Sequence, residues 1–122
     1  MVASVGTIIV QPPDGHMATY VTQLERLADL RPNCLLPAHG SIIDAPIEHL
    51  RFYIEHRLGR EKRVVAALAQ GSAPLALITQ RSYEELPSAL LPLAERSCLA
   101  HLIKLEEEAR AELSDGQWRL RP

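Results

Sequence analysis

Apolar and polar positions follow two different periods along this chain of 122 residues. Residues 5–10 (VGTIIV) are rich in β-branched side chains, which predicts a strand buried on both faces. After a Pro-Pro-Asp-Gly turn, apolar residues recur at helical spacing over residues 16–30. Residues 34–36 predict a second, short strand. Strand, helix and strand in this order predict a βαβ unit with parallel strands.

This unit is too small to be stable alone, because two strands and one helix bury little apolar surface. Residues 5–10 are also too apolar for an edge strand, so neighbours are expected on both sides. We therefore expect residues 1–44 to be the C-terminal remnant of a larger α/β domain. The edge left by removing the earlier strands would favour self-association, so a homo-oligomer is one alternative.

From residue 44 onward the pattern is helical. Asp44 is predicted to cap a long helix that carries Pro46 in its first turn and ends near Gln70, before Gly71. Its predicted apolar face contains Ile47, Leu50, Ile54, Leu58, Val65 and Leu68. A short helix over residues 75–82 follows.

Apolar spacing predicts one more helix, and a hairpin ends the chain. The helix is marked by Ala94, Cys98, Leu102, Leu105 and Ala109. Residues 110–113 and 117–121 flank an Asp115-Gly116 turn, which is a strong hairpin signal. Three helices followed by a hairpin predict a winged helix, a helix-turn-helix variant. The expected fold is an α/β remnant over residues 1–44 and a mainly α winged-helix domain over residues 45–122.

Composition excludes several classes of function. The formal net charge is −2 at pH 7, so no general attraction to nucleic acid or an anionic membrane is expected. Cys34 and Cys98 lack metal-binding spacing and are expected to be buried free thiols of a reducing compartment. With neither a signal-peptide pattern nor a membrane-spanning apolar run, we expect a cytoplasmic protein without membrane contact.

Five segments follow one another in a specific order: TIIVQPPDG, MATYVTQLERL, LLPAHG, IEHLRFYIEHRLGRE and PLAERSCLAHLIKLEEE. In this order they resemble the C-terminal part of metallo-β-lactamase-fold hydrolases. The subgroup they resemble has an appended winged helix, the β-lactamase-like-protein-2 type. Such hydrolases split thioester, ester or phosphodiester bonds.

The resemblance implies a dinuclear zinc centre in the intact hydrolase. Its ligands come from an HxHxDH motif, a later histidine, a bridging aspartate and a final histidine in a strand-end motif that resembles Pro37-Ala38-His39-Gly40. His39 is thereby implied to be the last metal ligand. Since HxHxDH does not occur in this sequence, we assign no catalytic residue here and expect neither bound zinc nor activity from this chain alone. Its main expected partner is the absent N-terminal hydrolase domain.

The His56-Arg57 pair allows two interpretations. Family members often carry this pair at the same place, which favours packing of the first winged-domain helix onto the hydrolase domain. Contact with a substrate, for example a phosphate, is the less favoured alternative.

A different class of function is a non-enzymatic winged-helix module that binds nucleic acid or a protein partner. Its cations would be Arg57, Arg60, Lys62, Arg63, Arg119 and Arg121. However, the recognition helix of such modules should be positive, whereas residues 106–108 of the third helix are all glutamate. We expect these glutamates to form a solvated face, which weakens the nucleic-acid alternative.

Overall fold

The computed structural model describes Ala3 and residues 8–122. Within this part of the chain, four α-helices and one 3₁₀ turn precede a two-stranded antiparallel sheet. The elements are α1 (Met17–Asp29), α2 (Pro46–Ala69), α3 (Leu75–Ser82), the 3₁₀ turn (Ser88–Leu90), α4 (Leu91–Glu107), β1 (Ala111–Ser114) and β2 (Gln117–Leu120). Every helix predicted from the apolar spacing is confirmed, with ends within a few residues.

The first helix begins at a histidine cap. The His16 ring accepts a hydrogen bond from the backbone N–H of Thr19, which satisfies one of the free donors at the start of α1. The buried residues of α1 are Met17, Tyr20, Val21 and Leu24. Their spacing of three, one and three residues forms one apolar stripe, as the sequence predicted.

The predicted strands of the N-terminal region are not found where the structure describes it. Residues 5–7 of the first strand lie outside the described residues, and residues 8–10 form no strand with other described residues. The prediction of a strand over residues 34–36 was wrong, because only Leu35 forms a bridge, and it is antiparallel, to Ile43. Leu35 meets its hydrogen-bonding needs within its own loop, so it does not pair in parallel with a distant strand.

The buried face of helix α2 differs in part from the predicted one, since Leu50 and Leu68 are buried as predicted but other positions are not. The residues that are buried are Pro46, Leu50, Tyr53, Arg57, Glu61, Val64, Ala67 and Leu68. Leu58, predicted to be buried, is 38% exposed. Two charged residues occupy the middle of the true face, which hid it from an analysis of apolar spacing. The predicted Asp44 cap was also wrong, because Ala45 is the N-cap residue and α2 has no side-chain cap.

Helices α2, α3 and α4 and the β1–β2 hairpin form the winged helix. Ala73, just before α3, exchanges two backbone hydrogen bonds with Trp118 of β2, at 3.1 and 2.8 Å. Asp115 and Gly116 have φ of 51° and 75°, which is the left-handed pair of a tight hairpin turn. The hairpin prediction is confirmed, and the Trp118 contact joins the wing to the helices.

Helix α4 ends in a Schellman motif, two residues earlier than Ala109, which had been predicted as its last apolar position. The N–H of Arg110 donates to the carbonyl of Leu105, and the N–H of Ala109 donates to that of Glu106. Ala109 has φ of 57°, a conformation that usually selects glycine. This motif reverses the direction of the chain, so that β1 follows α4 directly.

Two apolar clusters share α2 and α4. One cluster joins the C-terminal half of α2 to α3, α4 and the hairpin around the fully buried Val64, Ile78 and Leu102. The other joins residues 8–28 to Leu50 and Tyr53 of α2 and to Ala100 of α4. Helix α2 therefore packs against the N-terminal residues with one half and against the winged-helix residues with the other.

Candidate functional site

His39 lies in a loop that a single β-bridge closes. Leu35 and Ile43 exchange two backbone hydrogen bonds, of 3.0 and 2.9 Å, so the chain turns back between them. Gly40 has φ of 99°, a conformation that favours glycine and allows the backbone to turn immediately after His39. The His39 side chain is exposed. The loop therefore presents an imidazole at the surface.

The residues around His39 do not complete a metal site. Across Ala3 and residues 8–122, no group of three or more histidine, cysteine, aspartate or glutamate side chains is placed to hold a metal ion. A catalytic zinc site usually takes three protein ligands. Of the described residues, His39 alone matches a ligand position of the resembled motif, so a metal there would need ligands from elsewhere.

Apolar side chains next to His39 are unusually exposed. Leu36 and Ile42, in the same loop, are 75% and 60% exposed. Phe52 of α2, which lines a depression together with Ile42, is 56% exposed. Apolar residues gathered beside a polar loop are typical of an interaction surface rather than of a solvated one. This surface is continuous with the loop that carries His39.

Arg57 is a buried cation that connects α2 to the N-terminal residues. Its side chain is 4% exposed, and one guanidinium nitrogen donates to the carbonyl of Ile8. The guanidinium carbon also lies 5.3 Å from the centre of the Tyr20 ring, which is within reach of a cation–π contact. This geometry supports the packing interpretation of Arg57. Its role toward a separate hydrolase domain stays a prediction.

His56, next to Arg57 on α2, is half-buried. Burial, together with the neighbouring charges of Arg57 and Arg60, lowers the pKa of His56. The ring is therefore neutral near pH 7 and offers one donor and one acceptor nitrogen. The substrate-contact alternative for His56 also stays a prediction.

A four-residue ion-pair network was missed by the sequence analysis. Lys104 Nζ lies 2.7 Å from Glu61 and 2.6 Å from Glu108, and Arg110 lies 2.9 and 3.1 Å from the same two carboxylates. The four charges alternate in sign. A sequence signal existed, because Glu61 occupies the face that also carries Leu50, Tyr53, Val64 and Leu68. The network joins α2 to the end of α4.

His101 is a second buried polar group that sequence analysis did not single out. The residue is fully buried in α4, and neither ring nitrogen has a hydrogen-bond partner among the described residues. Burial, then the charges of Arg57 and Lys104, lower the pKa of His101 to about 3. The ring is therefore neutral at physiological pH and fills space in the interior.

The nucleic-acid alternative has unfavourable geometry. Helix α4, the recognition helix by its position in the winged helix, contributes Ala100 to the cluster formed with α1, so α1 covers part of its surface. His16 at the start of α1 lies 2.8 Å from Glu107 at the end of α4. In the wing, Glu112 pairs with Arg119 and Arg121 at 2.6 and 3.3 Å. A covered helix and neutralised wing cations are poorly suited to a DNA groove.

The glutamates at the end of α4 are exposed, as expected, but Glu108 forms an ion pair with Lys104 and Glu107 lies within hydrogen-bond distance of His16. The thiol prediction was confirmed for Cys98, which is fully buried, with burial raising its pKa to about 11. For Cys34 the prediction was wrong, because this residue lies in the exposed segment after α1. No helix in the part of the chain that the structure describes is both long and apolar enough to cross a membrane.

Comparison with known proteins gives the relationship. The sequence profile of the beta-lactamase associated winged helix domain matches residues 75–118. Over 98 residues, the chain is 32% identical to the beta-lactamase-like protein 2 homolog of Drosophila melanogaster. That match covers 78% of this chain and 34% of the relative. The chain is related to the metallo-β-lactamase family proteins.

Further relatives agree with this result. The Caenorhabditis elegans beta-lactamase-like protein 2 homolog is 32% identical over 72 residues, covering 58% of this chain and 24% of that protein. The chain thus spans about a third or less of the length of these two curated relatives. The activity of the full-length relatives can therefore be carried to this chain only as a proposal.

Solved structures confirm the predicted fold class. A metallo-beta-lactamase family protein from Thermus thermophilus matches with a TM-score of 0.69 and 21% identity, over 85% of this chain and 33% of its own. A beta-lactamase domain protein from Burkholderia ambifaria matches with a TM-score of 0.72 and 23% identity, over 86% and 33%. Both matches extend beyond the β-lactamase-associated winged helix into the N-terminal residues. The predicted domain boundary between residues 44 and 45 stays a prediction.

Proposed function

We propose that this chain is the C-terminal portion of a metal-dependent metallo-β-lactamase superfamily hydrolase, whose bond class is thioester, ester or phosphodiester. The supporting observation is the Drosophila match, which covers 78% of this chain but 34% of the relative. A stretch of that extent contains the middle of the chain wherever it starts, so it includes His39, His56 and Arg57. The similarity is therefore not confined to the winged helix.

Within this proposal, His39 supplies one imidazole to a zinc centre that a hydrolase domain completes. Its exposed position and the left-handed Gly40 beside it suit a ligand that must reach beyond its own loop. The zinc would supply hydrolytic water activation in the intact protein. Because the described residues offer no complete ligand set, this chain alone is proposed to be inactive.

The proposed partner is the hydrolase domain itself, and it would cover the apolar surface of Leu36, Ile42 and Phe52. Those three side chains are each more than half exposed: Leu36 and Ile42 belong to the loop that carries His39, and Phe52 lines a depression with Ile42. Contact there would bury apolar area and bring further ligands to the imidazole in one step. Since α2 carries Phe52, the winged helix would be fixed in position by the same contact.

The first test is on the isolated chain of 122 residues. Purified without chelator, it should hold no stoichiometric zinc by elemental analysis and should not hydrolyse thioester, ester or RNA probes. The coding sequence upstream of Met1 should encode an HxHxDH motif. A chain that is active with tightly bound zinc would contradict the proposed inactivity of this portion. An upstream frame without the motif would contradict the hydrolase proposal and favour a non-enzymatic winged-helix module.

The second test uses the longer protein, which includes the hydrolase domain encoded upstream of Met1. His39→Ala should lower zinc content and hydrolysis together while the thermal transition of the winged helix is unchanged. His16→Asn is the matched control, because asparagine also caps helices and His16 is not in the proposed centre. Equal zinc content in His39→Ala and the control would refute the ligand assignment, while leaving the family relationship intact.

A further inference from the structure

A groove with one cationic and one apolar wall lies between α2 and the segment from the end of α3 to α4. Its volume is about 270 Å³. Arg57 and Arg60 of α2 form the cationic wall, together with the neutral ring of His56. His56 and Arg60 are at i and i+4 and so lie on the same side of the helix, and Arg57 lines the groove beside them.

The opposite wall is aliphatic. It contains Leu86, Leu90 and Leu93, and Ile9 from the N-terminal residues closes one end. Leu90, Leu93 and Ile9 are 45%, 39% and 49% exposed. The groove therefore offers a partly exposed apolar surface.

The cations of this groove are not neutralised by protein carboxylates. No aspartate or glutamate is among the residues lining it, and neither arginine forms an ion pair with the described residues. Lys104, Arg110 and Arg119, outside the groove, each have a carboxylate within 3 Å. Unpaired guanidinium groups beside a partly desolvated surface produce a positive potential that attracts anions.

This positive potential contributes to the lowered pKa values of two histidines. The charges of Arg57 and Arg60 follow burial as causes of the lowered pKa of His56, and they also contribute at His101. In both cases the neighbouring charges that act on the ring are positive. An anion in the groove would offset the charges of both arginines.

A contact with Tyr83 positions the guanidinium group of Arg60 to bind such an anion. Its guanidinium carbon lies 4.7 Å from the centre of the Tyr83 ring, so the planar group is supported on one side. A guanidinium stacked on an aromatic ring keeps its N–H edge available for a planar, two-oxygen acceptor. A carboxylate fits that edge, and an aliphatic tail fits the leucine wall.

We propose that this groove binds a small aliphatic carboxylate, with its head group at Arg60 and Arg57 and its tail against Leu90 and Leu93. The volume lies just below the usual range for drug-sized ligands, about 300–1,000 Å³, so a short chain is the expected size. This inference rests on the groove alone and does not depend on hydrolase activity or on metal at His39.

The test compares four probes on the chain of 122 residues by methyl NMR titration. Hexanoate should shift the methyl signals of Leu90, Leu93 and Ile9 and leave those of Leu113 on β1 unchanged. Hexan-1-ol and hexylammonium, which share the tail, and acetate, which shares the head, should each bind at least about tenfold more weakly, since about 1.4 kcal/mol separates such affinities. Equal binding of hexanoate and hexan-1-ol would refute the carboxylate assignment.

Matched variants locate the contacts. Arg60→Gln should weaken hexanoate binding about tenfold or more, whereas Arg63→Gln, one turn further along α2 and outside the groove, should change it less than about twofold. Leu90→Gln should also weaken binding, and Leu113→Gln should not. If the two arginine variants behave alike, or if hexanoate causes no shifts at millimolar concentration, the proposal is wrong.

Discussion

Lys104 Nζ lies 2.7 Å from Glu61 Oε2, and the two side chains are only 10% and 9% exposed. The pair connects the middle of α2 to the last turn of α4. Arg110 and Glu108 extend it toward solvent, so each buried charge has two opposite neighbours. Such an arrangement offsets the cost of removing the charges from water, which an isolated buried pair often does not.

Removing one member of this pair should therefore be costly. We expect Glu61→Gln to lower the free energy of unfolding by about 3 kcal/mol, because Lys104 loses a buried partner. Urea denaturation at neutral pH measures it. Glu112→Gln, which breaks the exposed pair with Arg119, should have a much smaller effect, because solvent screens that pair. Equal costs for the two variants would show that Glu61 is not effectively buried.

The buried His101 should make the free energy of unfolding decrease at acidic pH. Its folded-state pKa of about 3 lies below the ordinary value of 6.5, so the unfolded chain binds this proton more readily. The contribution of the neutral His101 ring to the free energy of unfolding is fully present above about pH 6.5. It is lost as pH falls toward 3, at about 1.4 kcal/mol per pH unit. The neutral variant His101→Leu should lack this part of the slope, and the exposed-site variant His39→Ala should keep it. A His101→Leu profile parallel to that of the unmodified chain would contradict the assignment.

Leu102 is fully buried in the cluster that joins α4 to the hairpin. We expect Leu102→Ala to cost about 2–5 kcal/mol, because the cavity left in that cluster cannot close completely. The exposed Leu113→Ala should cost far less. Thermal or urea unfolding measures both variants.

Arg57 is predicted to act locally. Arg57→Met keeps most of the aliphatic length but removes the donor to the Ile8 carbonyl and the contact with Tyr20. Amide hydrogen exchange should become faster in the first residues and in α1, while protection around Val64 and Leu102 is retained. Arg63→Met, at an exposed site of the same helix, is the control. Uniform loss of protection would show that Arg57 supports the whole chain instead.

The helices and the hairpin could be predicted because each has a local signal. Apolar spacing marks α1 and α4, and Asp115-Gly116 specifies the turn by its backbone preference alone. The buried face of α2 could not be read in the same way, since Arg57 and Glu61 become buried only through partners nearly 50 positions away. Helical spacing places Glu61 on the face of Leu50 and Val64, but it does not reveal the distant partners that allow its charge to be buried.

Part of the candidate site could likewise be predicted from the sequence, and part could not. His39 could be singled out from LLPAHG and the family it resembles, and its exposure leaves it free to take that role. The groove at Arg60 could not be predicted, because its aliphatic wall comes from residues about 30 positions later. The strand at residues 34–36 was mistaken because apolar character does not reveal whether a strand has a neighbour with which to pair.

Helix α2 is one uninterrupted element of 24 residues that belongs to both apolar clusters. Complete loss of either cluster would expose apolar area on the part of the helix that adjoins the other cluster, whereas local openings of the N-terminal residues would not. The chain is therefore expected to lose its structure in one cooperative step, with every spectroscopic probe reporting the same midpoint. On this expectation, the residues on the two sides of the predicted boundary between residues 44 and 45 would unfold together.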